Sequence, residues 1–226
     1  GDGIPDSEKP RHEVNVPIYR IGKYPVKNVE YQKFVSQNGI EVNPAMGWNG
    51  QAFPEGLDNY PVAGVTFREA LAYCRWLSKK TEGKRIYTLP SEAQWEKACR
   101  GGNNYIYPWG NEFDAARCNL GKPSIARVNE YEAQNDFGCY DLVGNVQQWT
   151  CTLWGKKLFP PDPKYADLKD DARNDLEASD DIRRVMRGSR RDQGVASHRC
   201  SVRSGAAPGE RGPVGARFSF RVVMIV

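Results

Sequence analysis

The chain contains 226 residues with a formal net charge of +4, and 11% of its residues are aromatic, including six Trp and eleven Tyr. This length fits one large domain or two small ones, and the aromatic content with a modest charge excludes an intrinsically disordered chain. No apolar run approaches the ~18 residues of a transmembrane helix, and the charge does not indicate nucleic-acid binding.

The first elements are read from alternation and capping signals. Residues 12–26 alternate polar and apolar side chains and predict one or two strands. Asn28 is the predicted cap of a helix over residues 29–37, which Gly39 ends. Residues 40–64 are rich in Pro and Gly and predict loops.

Two capping boxes predict the next two helices. Thr66–Glu69 opens a helix to about Thr81, and Ser91–Gln94 opens one to about Arg100. A short strand over residues 86–89 lies between them. Later residues alternate between short strands and long loops, with an acidic stretch at 155–183 that predicts a solvated insertion. The predicted class is therefore α+β.

Six cysteines are spread along the chain, and no two of them form a CxxC pair. This spacing argues against a zinc ribbon. Cys74 and Cys99 fall inside predicted helices, where we expect them to be small buried residues. Disulfides among the other four stay open.

The C-terminal stretch 184–223 differs from the rest. Residues 184–189 predict a strand that enters a tight turn, and the alternation of residues 217–223 predicts a closing strand. The residues between them have no hydrophobic period and include no Lys, Trp, Tyr or Asn. A long loop held between two strands is typical of a binding surface.

Seven phrases, in order along nearly the whole chain, together resemble the formylglycine-generating-enzyme domain, a variant of the C-type lectin fold. The resemblance implies one domain over residues 1–226, with two main helices on a small twisted antiparallel sheet, paired terminal strands and long loops. The phrases are residues 24–31, 60–66, 89–96, 107–110, 140–146, 184–189 and 220–222.

The enzymes of this family use a cysteine pair near the C-terminus, with copper held by thiolates. Here the matching segment, residues 190–200, contains Cys200 alone. An iron-dependent branch relies on a His-rich partner domain, whereas this chain has only His12 and His198. We therefore expect no catalysis and no required cofactor. The alternatives are a sulfatase-maturation-like enzyme or pseudoenzyme and a carbohydrate-binding lectin.

The chain also resembles the variable proteins of diversity-generating retroelements, which share this fold and rewrite a C-terminal segment at template adenines. Substituted Asn codons yield many residues but not Lys, Glu, Gln, Met or Trp, and residues 188–222 contain no Asn. An ordinary Gly/Ala-rich loop is the alternative. The predicted ligand-binding positions are Arg191, Asp192, Gly194, Ser197, His198, Ser204, Gly205, Ala206, Ala207, Gly209, Gly212, Pro213, Val214 and Ala216.

The resemblance also implies a partner and a location. We expect a variable protein or surface ligand as partner, no nucleic acid, and a cell-surface or extracellular position. The chain begins with Gly1 rather than Met, so its start decides nothing about a leader or an anchor. Membrane contact is expected only through a lipid anchor that is not in this chain. Arginines 190, 191, 199 and 211 favour acidic ligands.

Family members often carry structural calcium in their loops. The oxygen ligands that this resemblance implies are Asn119 with the Leu120 carbonyl, Asn129 and Asn145. Gln148 stands where the family has a carboxylate. The alternative is that these amides only satisfy loop backbone.

Overall fold

The computed structural model describes residues 8, 12–159, 161, 173–213 and 217–226. These residues form an α+β fold with three α-helices and six short strands. None of the helices in this part of the chain is both long and apolar enough to cross a lipid bilayer. The elements are α1 (Asn28–Asn38), α2 (Phe67–Lys80), α3 (Glu92–Arg100), β1 (Tyr19–Ile21), β2 (Ile86–Thr88), β3 (Gln148–Gly155), β4 (Arg183–Arg187), β5 (Arg203–Ala206) and β6 (Val223–Ile225).

The strands form two antiparallel sheets of three strands each. In the first sheet β6 lies between β1 and β2, so Ile225 is opposite both Tyr19 and Ile86. The pairing of β1 with β6 joins the two ends of the domain, as the family resemblance implies. In the second sheet β4 lies between β3 and β5, with Arg187 opposite Arg203.

The capping signals predicted two helix starts correctly. The hydroxyls of Thr66 and Ser91 accept hydrogen bonds from the third helical N–H of α2 and α3. The predicted cap of α1 is wrong by one residue, because Lys27 is its N-cap. The Asn28 amide instead donates to the Leu57 carbonyl at 2.9 Å, and Glu30 accepts from the Lys27 N–H at 2.9 Å.

Most apolar side chains pack into two clusters. The larger one joins α1 and α2 to the second sheet and to the segment before β6, through rings such as Tyr31, Tyr73 and Phe220. The smaller one surrounds Trp95 and contains the disulfide between Cys99 and Cys200. Cys99 was therefore wrongly predicted to be a plain buried thiol, because its partner lies 101 residues further along the chain.

Three other predictions need correction. The strand β5 was missed, and the predicted solvated insertion contains the buried Arg173 and Ala178 among its described residues. The predicted closing strand is displaced, since only Val223–Ile225 forms β6. Residues 217–222 run mostly buried between neighbours on both sides, with the Phe218 carbonyl accepting from the Gly64 N–H and the Ser219 carbonyl from the Trp149 N–H.

Candidate functional site

The turn that follows β4 fixes where the chain emerges. Gly188 has a φ of +75°, and an added Cβ would lie 2.9 Å from the Leu142 carbonyl oxygen. The hydroxyl of the buried Ser189 accepts a hydrogen bond from the Gly144 N–H at 2.8 Å. Only glycine fits at position 188 without strain. The chain therefore leaves the sheet against a fixed wall made by residues 142–144.

Residues 190–197, which we call the 190–197 loop, come to the surface after this turn. Within the loop, Gln193 accepts from the Arg190 N–H at 2.8 Å. A second support comes from residues 121–122, because the Gly121 N–H donates to the Arg191 carbonyl at 2.7 Å. Asp192 and Gly194 are exposed and Ser197 is half-buried. The loop thus has a defined backbone and outward-facing positions.

The base of this loop is interior. His198 closes the 3-10 turn Val195–His198 and is fully buried, with its ring 5.9 Å from the Phe113 ring. Its Nδ1 lies 3.0 Å from the Gly194 carbonyl, and burial lowers the pKa of His198. Neutral imidazole with Nδ1 as donor fits this contact. The prediction that His198 is a displayed, variable residue is therefore wrong.

The strand β5 removes two further predicted positions from the surface. Ala206 belongs to the main core, and an added Cβ on Gly205 would lie within 2.6 Å of the Trp154 Nε1. Ser204 is half-buried and accepts a hydrogen bond from the Gln147 amide at 3.0 Å. The prediction that Gly205 and Ala206 face ligand is wrong, because these small residues are there for close packing.

The remaining predicted positions lie in the loop after β5. Gly209 and Pro213 are exposed, whereas Ala207 and Gly212 are half-buried. This loop leaves the end of β5 that is opposite Arg184, and the 190–197 loop lies beyond the end that is opposite Arg187. The two exposed segments therefore lie at opposite ends of β5. Val214 and Ala216 lie outside the described residues.

The four arginines expected to attract acidic ligands are engaged within the protein. Arg190 pairs within its own loop and the other three contact more distant parts of the protein, so their preference for acidic ligands stays a prediction. The contacts are Arg190 to Asp192 at 3.0 Å, Arg191 to the Lys122 carbonyl at 2.6 Å, Arg199 to Glu8 at 2.8 Å, and Arg211 to both oxygens of Glu69 at 2.6 and 2.7 Å.

Two fully buried arginines brace the surroundings of the loop. Arg187 donates to the carbonyls of Ser201 and Val202, each at 2.8 Å, and also pairs with Glu96. Arg221 donates to four acceptors, including the Gln148 side chain at 2.6 Å. Loop carbonyls lack the partners that a helix or sheet would give them, and the forked guanidinium group supplies several donors at once.

An aromatic surface lies beside the 190–197 loop. Ile106 and Val195 are 42% and 44% exposed. Tyr107, Trp109 and Phe113 are half-buried, with Tyr107 stacked on Trp109 at 5.9 Å. The Cys200 N–H donates to the Ile106 carbonyl, which joins this surface to the loop. We call Ile106, Tyr107, Trp109 and Phe113 the aromatic strip, and Val195 belongs to the loop beside it. Their role was not predicted from the sequence, although the aromatic density of residues 105–113 was an available signal.

Comparison with known proteins places this geometry in a family. The family described as "Sulfatase-modifying factor enzyme 1-like domain" matches residues 1–224. The chain belongs to this family. As a member of the sulfatase-modifying factor family, it has the fold that the sequence resemblance predicted, with three α-helices where two main helices were expected.

Its relatives include proteins with and without a named activity. The chain is 29% identical over 254 residues to a Bos taurus protein named "Inactive C-alpha-formylglycine-generating enzyme 2", covering 87% of this chain and 74% of that protein. It is 32% identical to hercynine oxygenase of Mycolicibacterium thermoresistibile, over 64% of this chain and 38% of that protein. Among solved structures, Treponema denticola variable protein 1 superposes with a TM-score of 0.74 at 21% identity, covering 99% of this chain and 89% of that one.

All six cysteines of this family member lie in the described part of the chain. Cys200, the one cysteine of the segment that matches the catalytic pair, is bonded to Cys99. The other four are buried. Burial raises the pKa of Cys118 and Cys151 to about 12, and it also raises the pKa of Cys74. Thiols with a raised pKa stay protonated at neutral pH and are poor nucleophiles.

The positions proposed for calcium brace a loop. The Asn119 amide donates to the Asn145 Oδ1 at 3.0 Å, and the same oxygen accepts from the Ala126 N–H at 2.8 Å. Asn129 is exposed and Leu120 is half-buried. The Oδ1 of Asn119 is the one oxygen of these two buried amides without a hydrogen-bond partner. Calcium takes about six to eight oxygens, which include backbone carbonyls and water as well as side chains, so a calcium ion at this loop stays a prediction.

Proposed function

We propose that this chain is a non-enzymatic ligand-binding protein, displayed at the cell surface, whose recognition surface is the 190–197 loop together with the aromatic strip. The observation that carries the proposal is the contrast between exposed and buried positions within a few residues. Asp192 and Gly194 are exposed, whereas Ser189, His198 and Cys200 are fully buried. A ligand-binding loop needs a fixed frame and replaceable outward side chains.

Substitution at the exposed positions leaves the frame untouched. Nothing lies within 4 Å of a Cβ built on Gly194. Exposed substitutions away from special features change the free energy of unfolding by about 0.5 kcal/mol or less. The loop can therefore be diversified, in this gene's relatives or in the laboratory, without loss of the fold. The tolerance of the loop to substitution supports the likeness to variable proteins, and it does not depend on the codon pattern of the segment.

The aromatic strip supplies the anchors that the loop lacks. Aromatic residues dominate binding hot spots because they offer a large rigid area at low entropic cost. Trp109 and Tyr107 are part of the frame, since Trp109 Nε1 donates to the Glu112 carbonyl at 2.9 Å. We infer that the strip gives affinity and that the exposed loop side chains select the ligand. The partner is then a protein or other surface ligand with an apolar anchor.

The disulfide supports the proposed location. Disulfides persist in oxidising compartments outside the cytosol, and Cys99–Cys200 joins α3 to the segment that follows the 190–197 loop. We propose that the protein is held at the outer surface by a lipid anchor. Protease treatment of intact cells is expected to remove the protein from the surface, and full protection would contradict this location.

One library experiment tests the proposal. Asp192, Gly194 and Ser197 are randomised in the full chain, displayed, and selected against several unrelated proteins. The matched control library randomises His198, Gly205 and Ala206 instead. We expect specific binders from the first library and loss of folded protein in the second. Failure to recover binders from a folded first library would count against the 190–197 loop as the recognition surface.

A second experiment tests the enzymatic alternative. The purified chain is incubated with copper and a Cys-containing peptide, and conversion of the peptide thiol is followed by mass spectrometry. Because no cysteine pair is available at the matching segment, we expect no conversion above that of a Cys200→Ser variant. Turnover that depends on Cys200 would overturn the non-enzymatic assignment.

Comparison of sister gene copies would sharpen the same proposal. Copies are expected to differ at exposed positions such as Asp192 and Gly194 and to keep His198, Gly205 and Ala206. A neighbouring reverse transcriptase gene is expected as well. Even variation along the whole chain would contradict diversification of this segment.

A further inference from the structure

A cleft of about 460 Å³ opens between helix α1, helix α2 and the segment that follows β1. Its lining includes Tyr24, Tyr73, Trp76 and Leu77 together with the cationic Lys23 and Lys33. None of these residues belongs to the 190–197 loop or to the aromatic strip. The cleft is therefore a separate site, and a ligand could bind there independently of the proposed recognition surface.

The floor of the cleft is preformed. Trp76 packs on Tyr73 and Phe34, with ring centroids 5.4 and 5.7 Å apart, and Tyr73 stacks on Tyr31 at 5.7 Å. Phe34, Tyr31 and Tyr73 belong to the buried main core, so these rings have little freedom to close the space. The volume falls in the range of about 300–1,000 Å³ that is typical of small-molecule sites.

The rim of the cleft carries positive charge. Lys33 is exposed, and no ion pair involving it occurs among the described residues. The Lys23 ammonium lies 5.5 Å from the centre of the Tyr24 ring and 5.2 Å from that of Tyr140, and these cation–π contacts hold it beside Tyr24 at the edge of the cleft. Glu30 also lines the cleft, but its carboxylate already accepts from the Lys27 N–H and lies 3.5 Å from the Lys27 ammonium.

We propose that this cleft binds a small anion with a flat aromatic body, such as an aromatic carboxylate. The ring stacks against the half-buried Trp76, which rests on the buried Tyr73, because offset and edge-on contacts between rings are favourable beyond the area that they bury. The carboxylate accepts charge-assisted hydrogen bonds from the lysine ammonium groups on the rim. Aromatic wall and cationic rim together select this class over neutral aromatics and over simple inorganic anions.

The test uses the full chain labelled with ¹⁵N and titrated with sodium 2-naphthoate, with the neutral 2-naphthalenemethanol as the matched compound. Binding is followed by amide chemical shifts. We expect saturable shifts at residues 22–26, at Lys33 and at residues 73–77, and affinity for the neutral compound at least fivefold weaker. Absence of cleft shifts at millimolar naphthoate would overturn the proposal.

Charge reversal on the rim separates the anion site from a merely apolar groove. Lys33→Glu is expected to weaken naphthoate binding at least fivefold and to leave binding of the neutral compound unchanged. Lys79→Glu, an exposed lysine on α2 outside the cleft lining, is the control. The amide spectrum of each variant reports directly whether the fold is intact. Equal binding of both compounds, with no effect of Lys33→Glu, would also overturn the proposal.

Discussion

The 190–197 loop and strand β5 look alike in sequence and differ completely in the structure. Both are short runs of small and charged residues in the same C-terminal stretch. A Cβ added to Gly194 meets open space, whereas one added to Gly205 meets the buried Trp154 ring. Small residues therefore occur here for two reasons, exposure in the loop and close packing in the strand. Composition alone reports neither reason.

The largest expected effect falls on Arg187, which joins the two regions. Its guanidinium is fully buried, donates to the carbonyls of Ser201 and Val202, and pairs with Glu96. Arg187→Met leaves these carbonyls and the Glu96 carboxylate without that partner. We expect a loss of about 3–5 kcal/mol in the free energy of unfolding, measured by denaturant titration.

Arg190→Met is the matched control for this change. Arg190 is partly exposed and pairs with the exposed Asp192, so its loss is expected to cost less than about 1 kcal/mol. Similar losses in the two variants would show that the structure assigns these arginines to the wrong environments.

The next largest effect is expected from Gly205→Val, which tests the comparison between strand β5 and the 190–197 loop. The new side chain must displace the Trp154 ring, and overpacking of this kind costs about 1–3 kcal/mol or more. We expect the midpoint of thermal unfolding to fall by roughly 5–10 °C. Gly194→Val, at a φ of −68° and in open space, is expected to shift it by less than about 2 °C. Equal shifts would erase the distinction between loop and strand.

Local signals in the sequence predicted the helices better than the strands. The capping boxes at Thr66 and Ser91 involve contacts within one turn, so they are readable from neighbouring residues. Strand β5 has no hydrophobic alternation, and its extended form depends on hydrogen bonds to β4. The Cys99–Cys200 pairing depends on the fold of the chain between two cysteines that lie 101 positions apart.

In the candidate site too, local features could be predicted from the sequence and long-range contacts could not. The start of the 190–197 loop could be predicted because a strand-like segment and a glycine turn precede it, whereas its end could not, since strand β5 was missed. The roles of its arginines could not, because their acceptors lie far away in sequence, as Glu69 does for Arg211. Tyr107 and Trp109 of the aromatic strip fall in a phrase of the family resemblance, and the place of the strip beside the loop depends on the backbone contact between Ile106 and Cys200.

A smaller, stabilising effect is expected from Asp141→Asn, which changes the wall beneath the loop. Burial raises the pKa of Asp141 to about 7, although Asn145 and Arg221 oppose the shift. The folded carboxyl therefore keeps its proton to a higher pH than the unfolded carboxyl, whose pKa is about 4. This group favours the folded state below the unfolded pKa, and that contribution is lost as the pH rises through about 7.

The amide cannot ionise, and asparagine tolerates the left-handed backbone that Asp141 adopts at a φ of +51°. Asp141→Asn is expected to raise the midpoint of thermal unfolding by roughly 5 °C at pH 8 and to change it little at pH 4. Thermal melts of both proteins at the two pH values check this. An equal change at both values would contradict the buried-carboxyl explanation.

The smallest effect on stability is expected in the 190–197 loop. Asp192→Ala and Ser197→Ala are expected to change the free energy of unfolding by about 0.5 kcal/mol or less. In a binder selected from the loop library, replacing the selected residue at position 192 or 197 with Ala is expected to weaken binding, and Trp109→Ala more strongly than either. Denaturant titration and surface plasmon resonance report the two properties separately. Binding that survives all three changes would place the recognition surface elsewhere.

The most direct measurement is a stability scan of every substitution from Gly188 to Pro213, read by protease resistance of the displayed full chain. The account predicts tolerance at Asp192, Gly194 and Gly209, and intolerance at His198, Gly205 and Ala206. Uniform tolerance, or intolerance centred on the 190–197 loop, would contradict the claim that a buried frame carries the folding energy and leaves this loop free to change.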